Sequence, residues 1–402
     1  MACWTLETLL APYEGTFFLE EVLGQSALYV PGDPDKFRGL FSWNALNHLM
    51  KFGGMGHPRL RLISDGRELH PESYLRSGVS GYPRPLVQEI NSALRDGAIL
   101  AVESIEELHE PISRLCEVLE RRIEVHMQAD IYACWHDQAP SALRWNQHDV
   151  FVLQVEGTKQ WRIYCPTASR PAADRPPPDP AGDPAWEGVL RPGSLLYVPK
   201  GWWYCDQTAE PALCIAARFR NPSGVDVLQR IFDQLARSNE IQADCPRFGG
   251  IEGQSAFIRA LQSEVGSACT SAGLLLGFLK DCRALSEPRV GFSFPWSAAR
   301  VPLPPSEDFV GLPLLRFPRA DSVRQLPNED AVEIPVNGRS IRFDEDAGKI
   351  FARVCVTPSL SVGALVRAFE GEMSRERILA SLSELAGHGV VELLESGPLG
   401  HT

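Results

Sequence analysis

Short runs of apolar residues, some alternating with polar ones, recur between residues 99 and 219. They are rich in β-branched and aromatic residues and are bounded by turn-forming residues, a pattern that predicts β-strands. Because no helical pattern separates the later runs, they predict an antiparallel sandwich or barrel. The predicted strands are AILAV (99–103), ADIYACW (129–135), DVFVLQVEG (149–157), KQWRIYC (159–165), SLLYVPK (194–200) and ALCIAARF (212–219).

A helical spacing of apolar residues marks other parts of the chain. Residues 105–123 predict a helix that precedes the strands, and residues 225–241 and 254–285 predict helices that follow them. The Pro-rich stretch 166–184 cannot be a central strand and predicts a long surface loop between two strands. Many prolines also fall between residues 286 and 325, which predicts a connector.

The C-terminal part combines a predicted hairpin with predicted helices. The segment VEIPVNGRSIRF (332–343) alternates polar and apolar residues around an Asn-Gly turn, and three helix-like runs and the strand VVELLE (390–395) follow it. This order is typical of a small winged-helix-like unit. We therefore predict an α+β chain with three parts. They are a barrel with N-terminal α/β elements (1–221), a helical segment with connector (222–325) and a winged-helix-like domain (326–402).

Composition narrows the classes of function. The chain has 402 residues, of which 39 are Lys or Arg and 51 are Asp or Glu, so its net charge is −12. This balance argues against binding nucleic acid through bulk charge, because duplex binding depends on neutralising phosphates. No run of 18 apolar residues and no signal-peptide pattern occurs, so we expect no membrane association. The ten cysteines include no CxxC spacing and predict reduced thiols, hence a cytoplasmic protein.

Two motifs carry a family resemblance. The first is HDVFVLQVEGTKQWRIY (148–164), and the second, PGSLLYVPKGWWY (192–204), follows about thirty residues later. Together they resemble the JmjC-type, cupin-fold 2-oxoglutarate oxygenases, in particular the ribosomal-oxygenase-like branch (cupin-4). The resemblance runs from near Phe18 to about Asn221. It implies a double-stranded β-helix (cupin/JmjC) barrel, followed by a helical segment and a small winged-helix-like C-terminal domain.

The resemblance also implies a metal centre, and this sequence departs from it. The family holds one Fe(II) on a His-x-Asp pair and a distal His, a facial triad that leaves positions open for oxygen and 2-oxoglutarate. Here those positions fall on Arg144, Asn146 and Tyr204. Arginine offers no lone pair, a neutral amide substitutes poorly for a carboxylate, and a phenol loses its proton only near pH 10. We therefore expect neither metal nor cofactor; Fe(II) and 2-oxoglutarate are implied only if the family activity is retained.

The positions that would bind the co-substrate are better preserved. By the resemblance, Lys159 takes the position that pairs with the far carboxylate of 2-oxoglutarate, and Tyr132 matches a family tyrosine near it. With Arg144 in place of a metal ligand, a small dicarboxylate or an acidic side chain could lie between two cations. The alternative is that Arg144 neutralises a buried carboxylate, either Asp130 or Asp206.

Three functions remain open from the sequence. The first is a catalytically degenerate JmjC-like protein that serves as a binding or scaffolding module for a protein or peptide partner. The second is an active 2-oxoglutarate-dependent protein or peptide hydroxylase whose metal site is still to be placed; His136-Asp137 is adjacent, not H-x-D, and fits poorly. The third is a metal-free enzyme that uses Tyr204 or Asp206 as acid or base near Arg144.

The resemblance further implies a homodimer formed through the helices after the barrel. The residues expected to line such an interface are Leu228, Ile231, Phe232 and Leu235. The alternative is that this helical face packs on the chain's own barrel.

Overall fold

The computed structural model describes residues 4–52, 55–64, 66–78, 81–135, 141–167, 178–180, 182–208, 210–236, 238–285, 293–294, 310–313, 323–326, 330–336, 339–357 and 360–394. By their contacts, these residues form two compact units, Met1–Asn221 and Pro222–Thr402. The finer division of the second unit at residue 325 stays a prediction.

The first unit contains the strands that the sequence predicts, together with shorter ones that it does not. They are β1 (Leu28–Val30), β2 (Leu60–Ser64), β3 (Arg67–Glu68), β4 (Leu75–Ser77), β5 (Pro83–Pro85), β6 (Ile99–Val102), β7 (Met127–Cys134), β8 (Arg144–Trp145), β9 (Asp149–Glu156), β10 (Lys159–Tyr164), β11 (Trp186–Leu190), β12 (Leu195–Val198), β13 (Trp203–Gln207) and β14 (Ala212–Phe219).

Two antiparallel sheets form the barrel. Among the described residues, the larger has eight strands in the order β1-β12-β9-β14-β7-β6-β2-β3, and the smaller has the order β11-β10-β13-β8. The predicted α+β class with an antiparallel barrel is confirmed. Most of the predicted Pro-rich loop, residues 168–177, lies outside the described residues, and it precedes β11, which the sequence did not predict.

The helices of this unit pack beside the larger sheet. They are α1 (Leu6–Leu10), α2 (Gly15–Phe17) with a π-helical turn (Phe18–Val22), α3 (Trp43–Phe52), α4 (Val87–Arg95) and α5 (Glu110–Ile123), with 3₁₀ turns at Pro71–Ser73 and Ile105–Glu107. The single helix predicted over 105–123 is therefore divided in two. Pro111 accounts for this, because a proline fits in the first turn of α5 but not inside a longer helix.

Strand β9 shows how the sequence builds the barrel. Every residue from Asp149 to Val155 is buried, since the strand has covered faces on both sides. Phe151, Leu153 and Val155 pack into the main core with the helices, while Val150 and Val152 join a second cluster with Trp161 and Ile163 of β10. The period-2 alternation of a strand therefore divides one apolar run between the core and the barrel interior.

Steric constraints require glycine at two turns of the motifs. Gly157 follows β9 with φ of +67°, and a Cβ there would lie 2.1 Å from the Pro211 carbonyl oxygen. Gly193 precedes β12 with φ of +85°, and a Cβ there would lie 1.8 Å from the Asp33 carbonyl oxygen. Only glycine combines a left-handed backbone with such close approach of another backbone segment.

The second unit has its own core. Its helices are α6 (Gly224–Leu235), α7 (Asn239–Gln242), α8 (Gly250–Cys269), α9 (Leu274–Leu285), α10 (Glu345–Val356), α11 (Val362–Ala368) and α12 (Arg375–Gly387). Its strands are β15 (Val310–Pro313), β16 (Arg324–Gln325), β17 (Ala331–Val336), β18 (Arg339–Asp344), β19 (Leu360–Ser361) and β20 (Val391–Leu394). Side chains of α10, α11 and α12, among them Phe351, Leu365 and Leu382, are fully buried in one cluster.

Several predicted boundaries shift in this unit. The helix predicted over 225–241 ends at Leu235, and the one over 254–285 divides at Gly273, whose φ of +80° cannot continue a helix. The predicted hairpin is confirmed, with Val336 paired to Arg339, although its Asn-Gly turn lies outside the described residues. The connector predicted over 286–325 is wrong in part, because β15 lies within it and pairs with β19 and β20. In the described parts of the chain, no helix has both the length and the apolar character needed to cross a membrane.

A buried hydrogen bond of Asp149, in the first motif, should contribute to the stability of the barrel. The Tyr197 hydroxyl donates a hydrogen bond to the buried Asp149 carboxylate and accepts one, at 2.8 Å, from the Gly24 backbone N–H. In Tyr197→Phe both groups lose this partner, so we expect the free energy of unfolding to fall by about 1–3 kcal/mol. Urea unfolding measures it, with the exposed Tyr82→Phe as a control that should change little. An unchanged Tyr197→Phe protein would contradict this assignment.

Candidate functional site

The inward faces of both sheets enclose a pocket of about 130 Å³, which has room for several water molecules or a small ligand. Its lining includes all the site residues that the sequence predicts. Arg144, Asn146 and Tyr204, at the three ligand positions implied by the resemblance, contribute to it together with Lys159 and Tyr132. The structure therefore brings these five residues together, while their roles remain predictions.

The carboxylate of Asp206 lies between the two predicted cations. Its Oδ2 accepts a hydrogen bond from Lys159 Nζ at 2.8 Å, and its Oδ1 lies 2.5 Å from a terminal guanidinium nitrogen of Arg144. Ser141 Oγ donates to the same Oδ1 at 3.0 Å. The pairing follows from strand register, since Trp161 of β10 faces Asp206 of β13, and Tyr204 of β13 faces Arg144 of β8.

This ion cluster is held in fixed protonation states. Burial alone would raise the pKa of Asp206, but the charges of Lys159 and Arg144 outweigh it and hold that pKa well below its ordinary value. Burial would lower the pKa of Lys159, and Asp206 instead raises it well above the ordinary value. The carboxylate and the ammonium therefore both stay charged across the neutral range.

The second carboxylate of the pocket, Asp130, has a different cationic partner. Its Oδ2 lies 3.1 Å from Nε of Arg218, and its Oδ1 accepts a hydrogen bond from the Ser104 backbone N–H at 3.2 Å. Burial raises the pKa of Asp130 to about 6, against the lowering effect of Arg218. Of the two carboxylates weighed as partners for Arg144, the structure therefore pairs it with Asp206.

Tyr204 is enclosed by aromatic and cationic groups. Its ring stacks on Trp161 with centroids 5.6 Å apart, and the guanidinium carbon of Arg144 lies 5.4 Å from its ring centroid. Burial raises the pKa of the Tyr204 phenol, although Arg144 and a hydrogen bond with Asn146 act in the opposite direction. The phenol is therefore neutral at physiological pH.

Other groups in the barrel are kept uncharged by burial. Burial raises the pKa of Tyr132 above its ordinary value, raises the pKa of the Cys214 thiol to about 12 and also raises the pKa of the Cys134 thiol. His148, which also lines the pocket, has a pKa lowered by burial and by nearby cations. These groups therefore offer neutral walls to any ligand.

Arg218 and Trp161 line the pocket, and sequence reasoning gave neither of them a role there. The signal for Arg218 is a charged residue inside the apolar strand ALCIAARF, at the same alternation as Cys214 and Ala216. The Trp161 ring stacks on Tyr204, and its indole N–H has no hydrogen-bond partner among the described residues. No group of three or more His, Cys, Asp or Glu side chains among the described residues is arranged to hold a metal ion. The adjacent pair His136-Asp137 lies outside the described residues.

Substitution of Asp206 should destabilise the protein more than substitution of Lys159. Asp206→Asn leaves two cations without their carboxylate, so we expect the free energy of unfolding to fall by about 3–5 kcal/mol. Lys159→Met leaves Asp206 with Arg144 and Ser141, and should cost only about 1–2 kcal/mol. Urea unfolding at neutral pH compares the two variants. Glu187→Gln, which removes an exposed ion pair with Arg162, is the control and should change the free energy of unfolding little. A Lys159→Met protein less stable than Asp206→Asn would contradict the arrangement.

The sequence of the barrel resembles those of known proteins. Residues 102–227 match the family model described as "JmjC domain". A "Bifunctional lysine-specific demethylase and histidyl-hydroxylase NO66" of Drosophila persimilis is 37% identical over 93 residues, which are 23% of this chain and 14% of that protein. The chain thus spans about a seventh of the length of this curated relative.

The fold as a whole matches solved structures. A structure of YcfD, a ribosomal oxygenase from Escherichia coli, matches with a TM-score of 0.56 and 17% identity, over 95% of this chain and 98% of that one. The same protein in complex with cobalt and 2-oxoglutarate matches with a TM-score of 0.55, 17% identity and the same coverage. At this identity the likeness supports the fold alone. Residues 102–227 therefore carry a JmjC domain, and the relative and the shared fold support the ribosomal-oxygenase-like resemblance of this chain.

Proposed function

We propose that this chain is a JmjC-type protein whose barrel serves as a binding module for a protein or peptide partner, without iron-dependent oxygenase chemistry. The observation that carries the proposal is the Asp206 carboxylate between Arg144 and Lys159. It supplies from within the chain a carboxylate that both cations share. The pocket therefore holds an internal anion at the place where the family resemblance puts metal and co-substrate.

The residues present do not fit an iron ion. Of the three ligand positions, one carries a guanidinium that is already engaged by Asp206, and another carries a phenol whose pKa is raised. Asn146 is a neutral amide in a hydrogen bond with that phenol. Fe(II) in such a site requires two imidazoles and a carboxylate. Moreover, a dication placed beside Arg144 and Lys159 would be repelled by both.

The residues also do not fit 2-oxoglutarate. Lys159 is 3% exposed, and its ammonium is bound to Asp206. A second carboxylate at Lys159 would share the ammonium with Asp206, and a dianion would raise the number of negative charges beside Lys159 and Arg144 to three. For this reason the proposal does not include the dicarboxylate that the sequence suggested.

A protein or peptide partner is supported by the relatives. Their printed names, histidyl-hydroxylase, lysine-specific demethylase and ribosomal oxygenase, describe proteins that act on residues or components of protein assemblies. A net charge of −12 argues against nucleic acid. A barrel that keeps the family fold without its metal ligands could still recognise a protein or peptide partner. The cytoplasmic location stays a prediction.

A homodimer remains part of the proposal, with a smaller interface patch than the sequence suggested. Leu228 and Phe232 of α6 are 59% and 61% exposed, and Val225 at its start is 74% exposed. Exposed apolar side chains on one helical face are typical of an association surface. Ile231, which was predicted to line it, is instead buried within the chain.

A second candidate is a metal-free activity, which Asp130 favours. Its pKa of about 6 puts its titration near neutral pH, as a general acid or base requires. The residues that the sequence suggested for this role, Tyr204 and Asp206, are less suitable because the pKa of each is shifted away from neutrality. Among the described residues of the pocket lining, the thiol of Cys214 and the phenol of Tyr132 have raised pKa values and stay protonated, so binding remains the preferred function.

Metal content tests the proposal. We expect wild-type protein incubated anaerobically with Fe(II) and then desalted to retain no stoichiometric iron and to form no succinate from 2-oxoglutarate, because its donor set is wrong. The matched control restores the family residues in the triple variant Arg144→His, Asn146→Asp, Tyr204→His, which should gain affinity for Fe(II). Elemental analysis gives the answer. About one tightly held iron per wild-type chain would contradict the proposal.

A further inference from the structure

Three buried donors of the pocket have no hydrogen-bond partner among the described residues. Nε of Arg218 is one of them, but it lies 3.1 Å from the Asp130 carboxylate in an ion pair, which leaves two donors to account for. One is the indole Nε1 of Trp161, whose residue is 6% exposed, and the other is Nε of Arg144. A buried N–H without an acceptor is costly, so buried donors in folded proteins nearly always have a partner. Both side chains line the pocket, and both pack against the ring of Tyr204. The region of the pocket next to Tyr204 therefore contains two N–H donors that could bind a ligand.

The charges of the described pocket lining give a second, independent indication. Three cations (Arg144, Lys159 and Arg218) face two carboxylates (Asp130 and Asp206), and the lowered pKa of His148 keeps that ring neutral. One positive charge is therefore left over. A dianion would bring more negative charge than this one positive charge can balance. A neutral ligand would leave the positive charge without a counter-charge in a partly enclosed site.

The apolar lining and the volume of the pocket indicate the size and polarity of the rest of the ligand. Val150, Val152 and Val198 contribute apolar surface, as do Ile63 and Ile99, and the volume is about 130 Å³. A ligand with a short apolar body and one anionic acceptor group satisfies this lining. A carboxylate suits the donors best, because its oxygens accept from an indole N–H and from a guanidinium N–H in charge-assisted hydrogen bonds.

We propose that the pocket binds a single carboxylate carried on a short apolar chain, with Trp161 Nε1 and Arg144 Nε as donors beside the Asp206 cluster. This inference rests on the proposed function, since it takes the barrel as a binding module. It specifies the chemistry recognised there. The carboxylate belongs either to a small free monocarboxylic acid or to an acidic side chain of the partner, and the experiment separates these sources.

Thermal shift and calorimetric titration with butyrate test the site. We expect butyrate to raise the melting temperature of the wild-type protein by ligand linkage, whereas the isosteric amide butyramide and the dianion succinate leave it unchanged. Trp161→Phe keeps the aromatic packing but removes the donor, and should weaken butyrate binding about ten- to a hundredfold. N-acetyl-glutamate N-methylamide against its glutamine analogue reports whether an acidic side chain is also accepted. Binding of butyrate alone assigns the site to a free acid, and binding of both assigns it to a side chain.

The control is Arg162→Gln, which removes a cation from the same strand as Trp161. Arg162 is paired with Glu187 and is not part of the pocket lining. This variant should bind butyrate as the wild type does. Equal effects of butyrate and butyramide, or undiminished binding by folded Trp161→Phe, would overturn the inference. Either result would leave the proposed function standing, because that function is tested by the iron content. Stoichiometric iron would overturn the proposed function, whether or not butyrate binds.

Discussion

A buried carboxylate with two cations is the interaction on which the interior of this barrel depends. Burying any one of these charges alone would cost several kcal/mol, so each is tolerable only because the others are within hydrogen-bonding distance. Asp206 meets Lys159 on one oxygen and Arg144 on the other. Asp206 therefore already pairs with the ammonium of Lys159 and with the guanidinium of Arg144, at the positions that the family resemblance assigns to co-substrate and metal.

Contacts elsewhere in the first unit hold the strands around this cluster. The alternation along β9 still divides one apolar run between the main core and the barrel interior. Gly157 and Gly193 still permit the tight approaches that the turns need. Asp149 still accepts a hydrogen bond from Tyr197 at the base of the sheet. Asp149 and Tyr197 make their contact outside the pocket lining, whereas Val150 and Val152 pack in the barrel interior and also line the pocket.

Much of this could be predicted from the sequence, and the limits have physical reasons. The family resemblance, with its register fixed by HDVF, predicted positions for Arg144, Asn146 and Tyr204 that all line one pocket. Which carboxylate pairs with Arg144 could not be decided, because that depends on the register between β13 and β8. The break at Gly273 and the strand β15 were missed because local apolar patterns do not reveal a backbone dihedral or a distant pairing partner.

The central claim is that Asp206 occupies the space between Arg144 and Lys159 even when iron and co-substrate are offered. The most direct test is a crystal structure of protein grown anaerobically with Fe(II) and 2-oxoglutarate, with anomalous data collected at the iron edge. The account predicts no iron peak in the barrel and the Asp206 carboxylate bonded to both cations. An iron peak beside Arg144, Asn146 and Tyr204, with Lys159 bonded to 2-oxoglutarate and Asp206 displaced, would contradict it.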